Sequence, residues 1–339
     1  MIVARCFIAL ALPLAGQQLY EEDLKDTQAL REKLWRQMDE YSKAPEGGVE
    51  ALRRVFLNRI GYPVPGLRAT GPLRLEKTGE DAIATYHRAW LPLSGGLDVY
   101  GLYIVPKKPL AKRAPLVISQ HGGGGFPEMA TFRGGSNYKD QVRGAVQEGY
   151  VVYAPHSVMY PFGDRDRGTV IPADVRKVLD SRLRAQGTSL AAVEVMKIKL
   201  ALDALTKRPE IDPQRIAMIG LSYGGFYSTY AAALDSRIKV VVASCSFRND
   251  PAIVDGNTEG RLLDLAPAEV AALIAPRPMQ IQSGIKDNLI PIEGSRIAAQ
   301  RALDYYKRQG AADKLQFEEF DGGHEFRGSL VWPFLKRWL

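Results

Sequence analysis

From residue 115 onward the chain repeats one alternation: a short run of nearly continuous apolar residues, then a longer stretch with helical periodicity. The apolar runs are PLVISQ at 115–120, YVVYAP at 150–155, RIAMIG at 215–220, IKVVVAS at 238–244, RPMQIQSG at 277–284 and LQFEEF at 315–320. A strand without the polar half of the usual period-two pattern has both faces covered, as in a parallel sheet flanked by helices. Helical periodicity falls on 138–148, 189–207, 224–234, 293–309 and from about 328 to the end. Strand alternating with helix predicts an α/β fold, a mostly parallel, doubly wound sheet with right-handed crossovers. Ligands bind such a sheet at the carboxyl edge of its strands.

The first part of the chain reads differently. Leu30, Leu34, Met38 and Tyr41 recur at helical spacing among charges, and VEALRRVFLNRI at 49–60 follows a Gly47-Gly48 break. GYPVPG at 61–66 ends helical structure. These features predict an N-terminal helical extension over 17–66, ahead of a catalytic domain at 67–339. DAIATYHRAWLPL and LDVYGLYIVP, joined by SGG, predict antiparallel N-terminal strands near a sheet edge. Residues 156–187 make a connection too long for a simple crossover, which predicts a short lid above the carboxyl edge.

A chain of 339 residues with 46% hydrophobic and 24% charged residues can bury a substantial core. The net charge of +7 is scattered and mixed with acids, as in GDRDRG at 163–168, so it describes a solvated surface and not a nucleic-acid face. The start, MIVARCFIALALPLAG, has one early arginine, an apolar run and then small residues. That is the shape of a signal peptide over 1–16, and it implies a secreted or periplasmic protein. The run is too short for a stable membrane anchor. The two cysteines, Cys6 and Cys245, lack metal-ligand spacing, and no metal or organic cofactor is expected.

MIGLSYGG at 218–225 places Gly220-Leu221-Ser222-Tyr223-Gly224 between a buried strand and a helix. From average glycine and serine usage, G-x-S-x-G arises by chance in roughly one chain in ten of this length. The strand before and the helix after are what make it informative. They are the context of a nucleophile elbow, in which a tight turn holds the serine out at the positive end of a helix.

A nucleophilic serine needs a base, and this chain has four histidines, His87, His121, His156 and His324. In the order serine, acid, histidine, His324 in FDGGHEF is the one that follows Ser222. The acid belongs at a strand end between them. Asp287, in SGIKDNLIP, stands there, and Asp250 is the second candidate, while Asp255 and Asp264 read as solvated loop residues. Donors for an oxyanion can come from the Tyr223 N–H and from the amides of HGGGG at 121–125. The absence of a following Lys-Ser/Thr and of G-x-G-x-x-G spacing argues against a phosphate-cradling role for that glycine run. His121, His156, Tyr160 and Arg165 lie where they could touch substrate, as does Arg167.

On His121–Gly125, DPQRIAMIGLSYGG, SGIKDNLIP and DGGHEF, the chain from about residue 70 resembles the α/β-hydrolase superfamily, within it dienelactone-hydrolase-like and acetyl-xylan-esterase-like secreted serine esterases. The resemblance implies the α/β-hydrolase fold, Ser222 as nucleophile, Asp287 as acid, His324 as base, and Gly122, Gly123 and Tyr223 as oxyanion-hole residues. It implies a small-molecule or carbohydrate ester as substrate. Three departures narrow it. Prolyl-oligopeptidase-like peptidases share the serine motif but place a large β-propeller ahead of it, for which there is no room. Glucuronoyl esterases carry an arginine where Tyr223 stands, and dienelactone hydrolases proper use a cysteine nucleophile.

Overall fold

The protein is described from a computed structural model over residues 14–42, 48–134, 136–157, 173–249 and 266–339. It divides into two units, Met1–Pro45 and Glu46–Leu339. Within the first, α1 (Leu14–Ser42) is a single helix on which Leu30, Leu34, Trp35 and Met38 are exposed. The expected signal segment lies almost wholly outside the described residues. Among the described residues, no helix is long and apolar enough to cross a membrane.

The second unit is built on a nine-stranded sheet of order β1-β2-β3-β5-β4-β6-β7-β8-β9. The strands are β1 (Arg74–Glu80), β2 (Ala84–Pro92), β3 (Asp98–Pro106), β4 (Ala114–Gln120), β5 (Val151–Pro155), β6 (Ile211–Leu221), β7 (Val240–Ser244), β8 (Met279–Gly284) and β9 (Leu315–Phe320). The β1/β2, β2/β3 and β3/β5 pairs are antiparallel, and every pair from β5 to β9 is parallel. This is the doubly wound sheet with antiparallel N-terminal strands that the sequence predicts.

The apolar runs are continuous because successive side chains feed two cores. Leu116, Ile118, Ile216, Met218 and Val241 point into one core, and Val117, Ala217, Ile219, Val240 and Val242 into the other. The first core is closed by α2 (Gly48–Ile60), α6 (Leu190–Leu205), α7 (Tyr223–Leu234), α8 (Pro267–Ala272) and α9 (Ile292–Arg308). The second is closed by α3 (Pro127–Phe132), α4 (Gln141–Gln147) and α10 (Gly328–Trp338). The chain leaves β4 toward β5 and returns past β4 to lay down β6. The strand order therefore reverses between β4 and β6, and their carboxyl ends flank the crevice where such sheets bind ligands.

α2, expected as part of the N-terminal extension over 17–66, falls within the second unit, Glu46–Leu339. Its Phe56 and Ile60 are fully buried in the first core, and Phe56 meets Tyr230 of α7 edge-on at 4.8 Å. The lid over 156–187 is described only in part, since 158–172 lie outside the described residues. Residues Ala173–Arg184 form α5. Just beyond it, the Thr188 and Ser189 hydroxyls donate to the Gly61 and Ile60 carbonyls, tying the segment to the end of α2.

Phe56→Ala should destabilise the second unit by about 3–5 kcal/mol, the cost of an emptied aromatic site. Urea denaturation against wild type checks this. A loss below 1 kcal/mol would return α2 to the extension.

Candidate active site

The turn after β6 is shaped by contacts too close for side chains. A Cβ on Gly220 would stand 2.2 Å from the Gly224 carbonyl carbon, and one on Gly224 would stand 2.1 Å from the Gln120 carbonyl oxygen. The turn is thus folded against itself and pressed onto the end of β4. Between the two glycines Ser222 takes φ 58°, ψ −123°, a region a serine enters only when its surroundings enforce it, at about 1–3 kcal/mol. Ser222 immediately precedes α7, so its side chain stands at the positive end of a twelve-residue helix.

Asp287 and His324 follow β8 and β9, at the same edge. His324 Nδ1 lies 2.7 Å from Asp287 Oδ2, while Asp287 Oδ1 accepts from the Leu289 and Ile290 N–H groups at 2.8 and 3.0 Å. Burial pushes the Asp287 pKa up. The hydrogen bond to His324 and the one from Ile290 outweigh it and hold the carboxyl below its ordinary range, so the group is a carboxylate. A carboxylate partner makes Nδ1 the protonated ring nitrogen and leaves Nε2 as a proton acceptor. The two loops are laced together, since Ile285 N–H donates to Phe320 O and Lys286 N–H to Gly322 O.

The Ser222 turn and the His324 loop meet at the end of β7. Ser222 N–H donates to Ser244 O at 2.8 Å, and Ser244 Oγ donates to Glu325 O at 3.4 Å. On the opposite side lies the glycine loop after β4. A Cβ on Gly122 would stand 2.8 Å from Leu221 O and 3.1 Å from the Ser222 Cβ. Gly122 is therefore in contact with the serine, though its amide is engaged elsewhere: the N–H donates to the Tyr138 hydroxyl at 3.0 Å. Burial holds that phenol protonated, with its pKa pushed up to about 12. The expectation of Gly122 as an oxyanion-hole residue thus meets an amide already bonded to Tyr138. Gly122 contributes by its missing side chain, while Gly123, the next residue, is exposed.

His121 and His156 do not have the character of substrate contacts. His121 is 2% exposed, and both its ring nitrogens meet backbone. Nδ1 donates to Gly122 O at 2.9 Å and Nε2 accepts from Ser157 N–H at 3.0 Å, which fixes one neutral tautomer. Burial lowers its pKa to about 4. His156 is 6% exposed, and burial, with His121 and Lys197 nearby, lowers it to about 3. Beneath them the buried Lys197 donates to His156 O and pairs with the equally buried Glu194 at 3.3 Å. His87 sits in mid-strand, facing Tyr103 O. Tyr160, Arg165, Arg167, Asp250, Asp255 and Asp264 lie outside the described residues.

Sequence reasoning missed Tyr138 and Ser244, and it read Cys245 only as lacking metal-ligand spacing. Cys245 follows β7 at φ 47°, buried, with Sγ 3.5 Å from Glu325 O. Burial pushes its thiol up to about 12. Among the described residues, Cys245, Asp287 and His324 are the one trio whose donor atoms could meet on a metal ion.

The sheet order, the serine turn and the His–Asp pair give the second unit the α/β-hydrolase fold. No protein-family model matches the chain. It is 28% identical over 86% of its length to the full length of a Bacillus subtilis (strain 168) protein named "Putative hydrolase YtaP". Among solved structures it is similar to methylesterase BT1017, at a TM-score of 0.66 and 19% identity, over 85% of this chain and 63% of that one. The chain thus spans less than two thirds of that protein. It is also similar to a "putative acetyl xylan esterase" from Bacteroides fragilis NCTC 9343, at a TM-score of 0.65 and 17% identity, over 85% and 86%.

The neutral, buried His121 has a consequence for stability. An unfolded histidine titrates near 6.5, so between about pH 6.5 and 4 the unfolded chain binds a proton that folded His121 excludes. The stability it contributes is present above that window and is lost as pH falls through it. Between pH 7 and 4.5, wild type should lose about 2 kcal/mol more than His121→Gln, measured by denaturant titration at both pH values. Equal losses would mean that His121 is protonated in the fold.

Proposed function

We propose that the protein is a serine carboxylesterase acting through Ser222, His324 and Asp287. The observation that carries this reading is the Ser222 backbone, held at φ 58° at the head of α7, at the same sheet edge as a histidine whose Nδ1 is bonded to a carboxylate. That arrangement has one evident use. His324 Nε2 takes the Ser222 proton as Oγ attacks the ester carbonyl, and Asp287 stabilises the imidazolium that forms. His324 then returns the proton to the leaving alcohol, leaving an acyl-enzyme. Water, activated by the same nitrogen, attacks the acyl carbon and frees Ser222.

The developing oxyanion is received by the Tyr223 and Gly123 amides, each such donor being worth roughly 2.7–4 kcal/mol. Gly122 keeps that space open, and Tyr138 holds the loop from behind. The His121 bonds to Gly122 O and Ser157 N–H fix the same loop to the end of β5.

The substrate class follows the names of the similar structures, a methylesterase and an acetyl xylan esterase. It is an acetyl or similar small acyl ester of a carbohydrate or small molecule. Tyr223, where an arginine would read a uronate carboxylate, turns the choice away from uronate esters. The leader-like first sixteen residues support a secreted or periplasmic location.

Ser222→Ala should lower kcat/KM on p-nitrophenyl acetate by roughly 10⁴-fold or more and abolish covalent labelling by a fluorophosphonate. A labelled Ser222→Ala protein would sink the assignment. In a panel of acetyl, feruloyl and methyl-uronate esters with a peptide amide, acetyl esters should turn over fastest. Preference for the amide would keep the triad and overturn the esterase.

A further inference from the structure

Cys245 stands outside the proposed machinery, yet it is aimed at it. Its positive φ turns Sγ toward the histidine loop, 3.5 Å from Glu325 O and 3.9 Å from Gly323 O. In that position Sγ, a carboxylate oxygen of Asp287 and a ring nitrogen of His324 all lie within 4.8 Å of one another. The three residues come from the ends of β7, β8 and β9, three adjacent parallel strands, and their sequence spacing carries no metal signature.

A thiolate, a carboxylate and an imidazole form a borderline-soft donor set of the kind Zn²⁺ and Cd²⁺ select. Metal–ligand bonds of about 2.0–2.3 Å put tetrahedral donors about 3.5 Å apart. The Asp287–His324 pair, at 2.7 Å, would open by under ~1 Å, and the widest separation, at most 4.8 Å, would close by little more than ~1 Å. Both shifts fall on loop residues beyond the strand ends. Two anionic donors around a dication also leave the buried centre without net charge, which limits the cost of enclosing it.

We infer that Cys245, Asp287 and His324 form an inhibitory site for a thiophilic divalent cation, Zn²⁺ or Cd²⁺, which disarms the base by occupying its Nδ1. On binding, the Cys245 S–H bond breaks, its proton leaves to solvent and an S–metal bond forms. The ion takes the Nδ1 lone pair, so the ring proton moves from Nδ1 to Nε2 and the imidazole stays neutral. A ring protonated at Nε2 cannot accept the Ser222 proton. No electron changes hands. The effect on activity rests on the triad reading, while occupancy of the site does not.

The test uses the full-length chain after EDTA treatment and dialysis. Titration with Cd²⁺ should raise the ultraviolet thiolate-to-metal charge-transfer band to a plateau at one ion per chain. Zn²⁺ should inhibit p-nitrophenyl acetate turnover, with recovery on adding EDTA. Cys245→Ser should keep the uninhibited rate within about twofold, lose the band and raise the inhibitory Zn²⁺ concentration at least tenfold. Cys6→Ser should keep the band, and so should the inactive Ser222→Ala, which separates binding from catalysis. Should Cys245→Ser fail to fold, His324→Ala retains the thiol and should weaken Cd²⁺ at least tenfold. The inference is overturned by any of four results: no band in wild type, a band that survives Cys245→Ser, equal Zn²⁺ sensitivity in Cys245→Ser, or Cd²⁺ affinity unchanged in His324→Ala. A wild type without esterase activity would end the proposed function, and the band would still decide the site.

Discussion

The close approach of the 220–224 turn to the end of β4 is the constraint on which the site rests. There is no space at Gly220 or Gly224 for even one carbon, because backbone from the same turn and from Gln120 already fills it. Two strands and a helix converge there, and the residue between the glycines must accept a left-handed conformation. Strain of that kind persists only where the surrounding packing over-determines it. Here the two cores, the fully buried strand β4 and the buried segment of β6 from Ile216 to Leu221 provide that packing. A serine on an ordinary loop would point wherever solvent allowed. This one is aimed by the whole sheet.

β7 does more than fill the gap between the serine strand and the acid strand. Its last residue, Ser244, receives the Ser222 amide and sends its own hydroxyl to Glu325, so it sets the spacing of two loops that share no strand pairing. Cys245, one residue on, packs under the same histidine loop. The geometry of the His–Asp pair is therefore a property of four consecutive strands, and a change at Ser244 can act on it without touching either partner.

How much of this was legible in the sequence depends on which residues carry their own signal. The six apolar runs each became a strand at nearly the expected positions, because burial on both faces writes an unbroken pattern. β1, Arg74–Glu80, wrote none. It is an edge strand, mostly polar and charged, which protects an edge from further pairing but reads as loop. α3 and α8 are six residues each, too short for periodicity to register. α2 was recognised as a helix, but an amphipathic stripe says that a face is buried and not what covers it. Ser222, Asp287 and His324 could be found because chain order and strand ends single them out. Tyr138 is different. Its hydroxyl would sit 1.9 Å from a Cβ on Gly125, so a glycine and a tyrosine thirteen residues apart share one space, and neither residue alone announces the other.

His121 and His324 show how environment decides what one side chain does. His121 is sealed away, with a carbonyl on one nitrogen and an amide on the other, and its charged form is driven off by burial. It can neither give nor take a proton without breaking a bond, which suits a rigid link between the glycine loop and the end of β5. His324 keeps its side chain 15% exposed, and the Asp287 carboxylate at Nδ1 is poised to stabilise the cation when one forms. The buried Lys197–Glu194 pair strengthens the contrast, since the ammonium close to His156 and His121 disfavours a second positive charge there. Burial and that ammonium thus hold His121 and His156 neutral, while His324 has a carboxylate on its ring nitrogen. Burial removes His121 and His156 as bases, which is why the proposed function rests on the histidine beside the carboxylate.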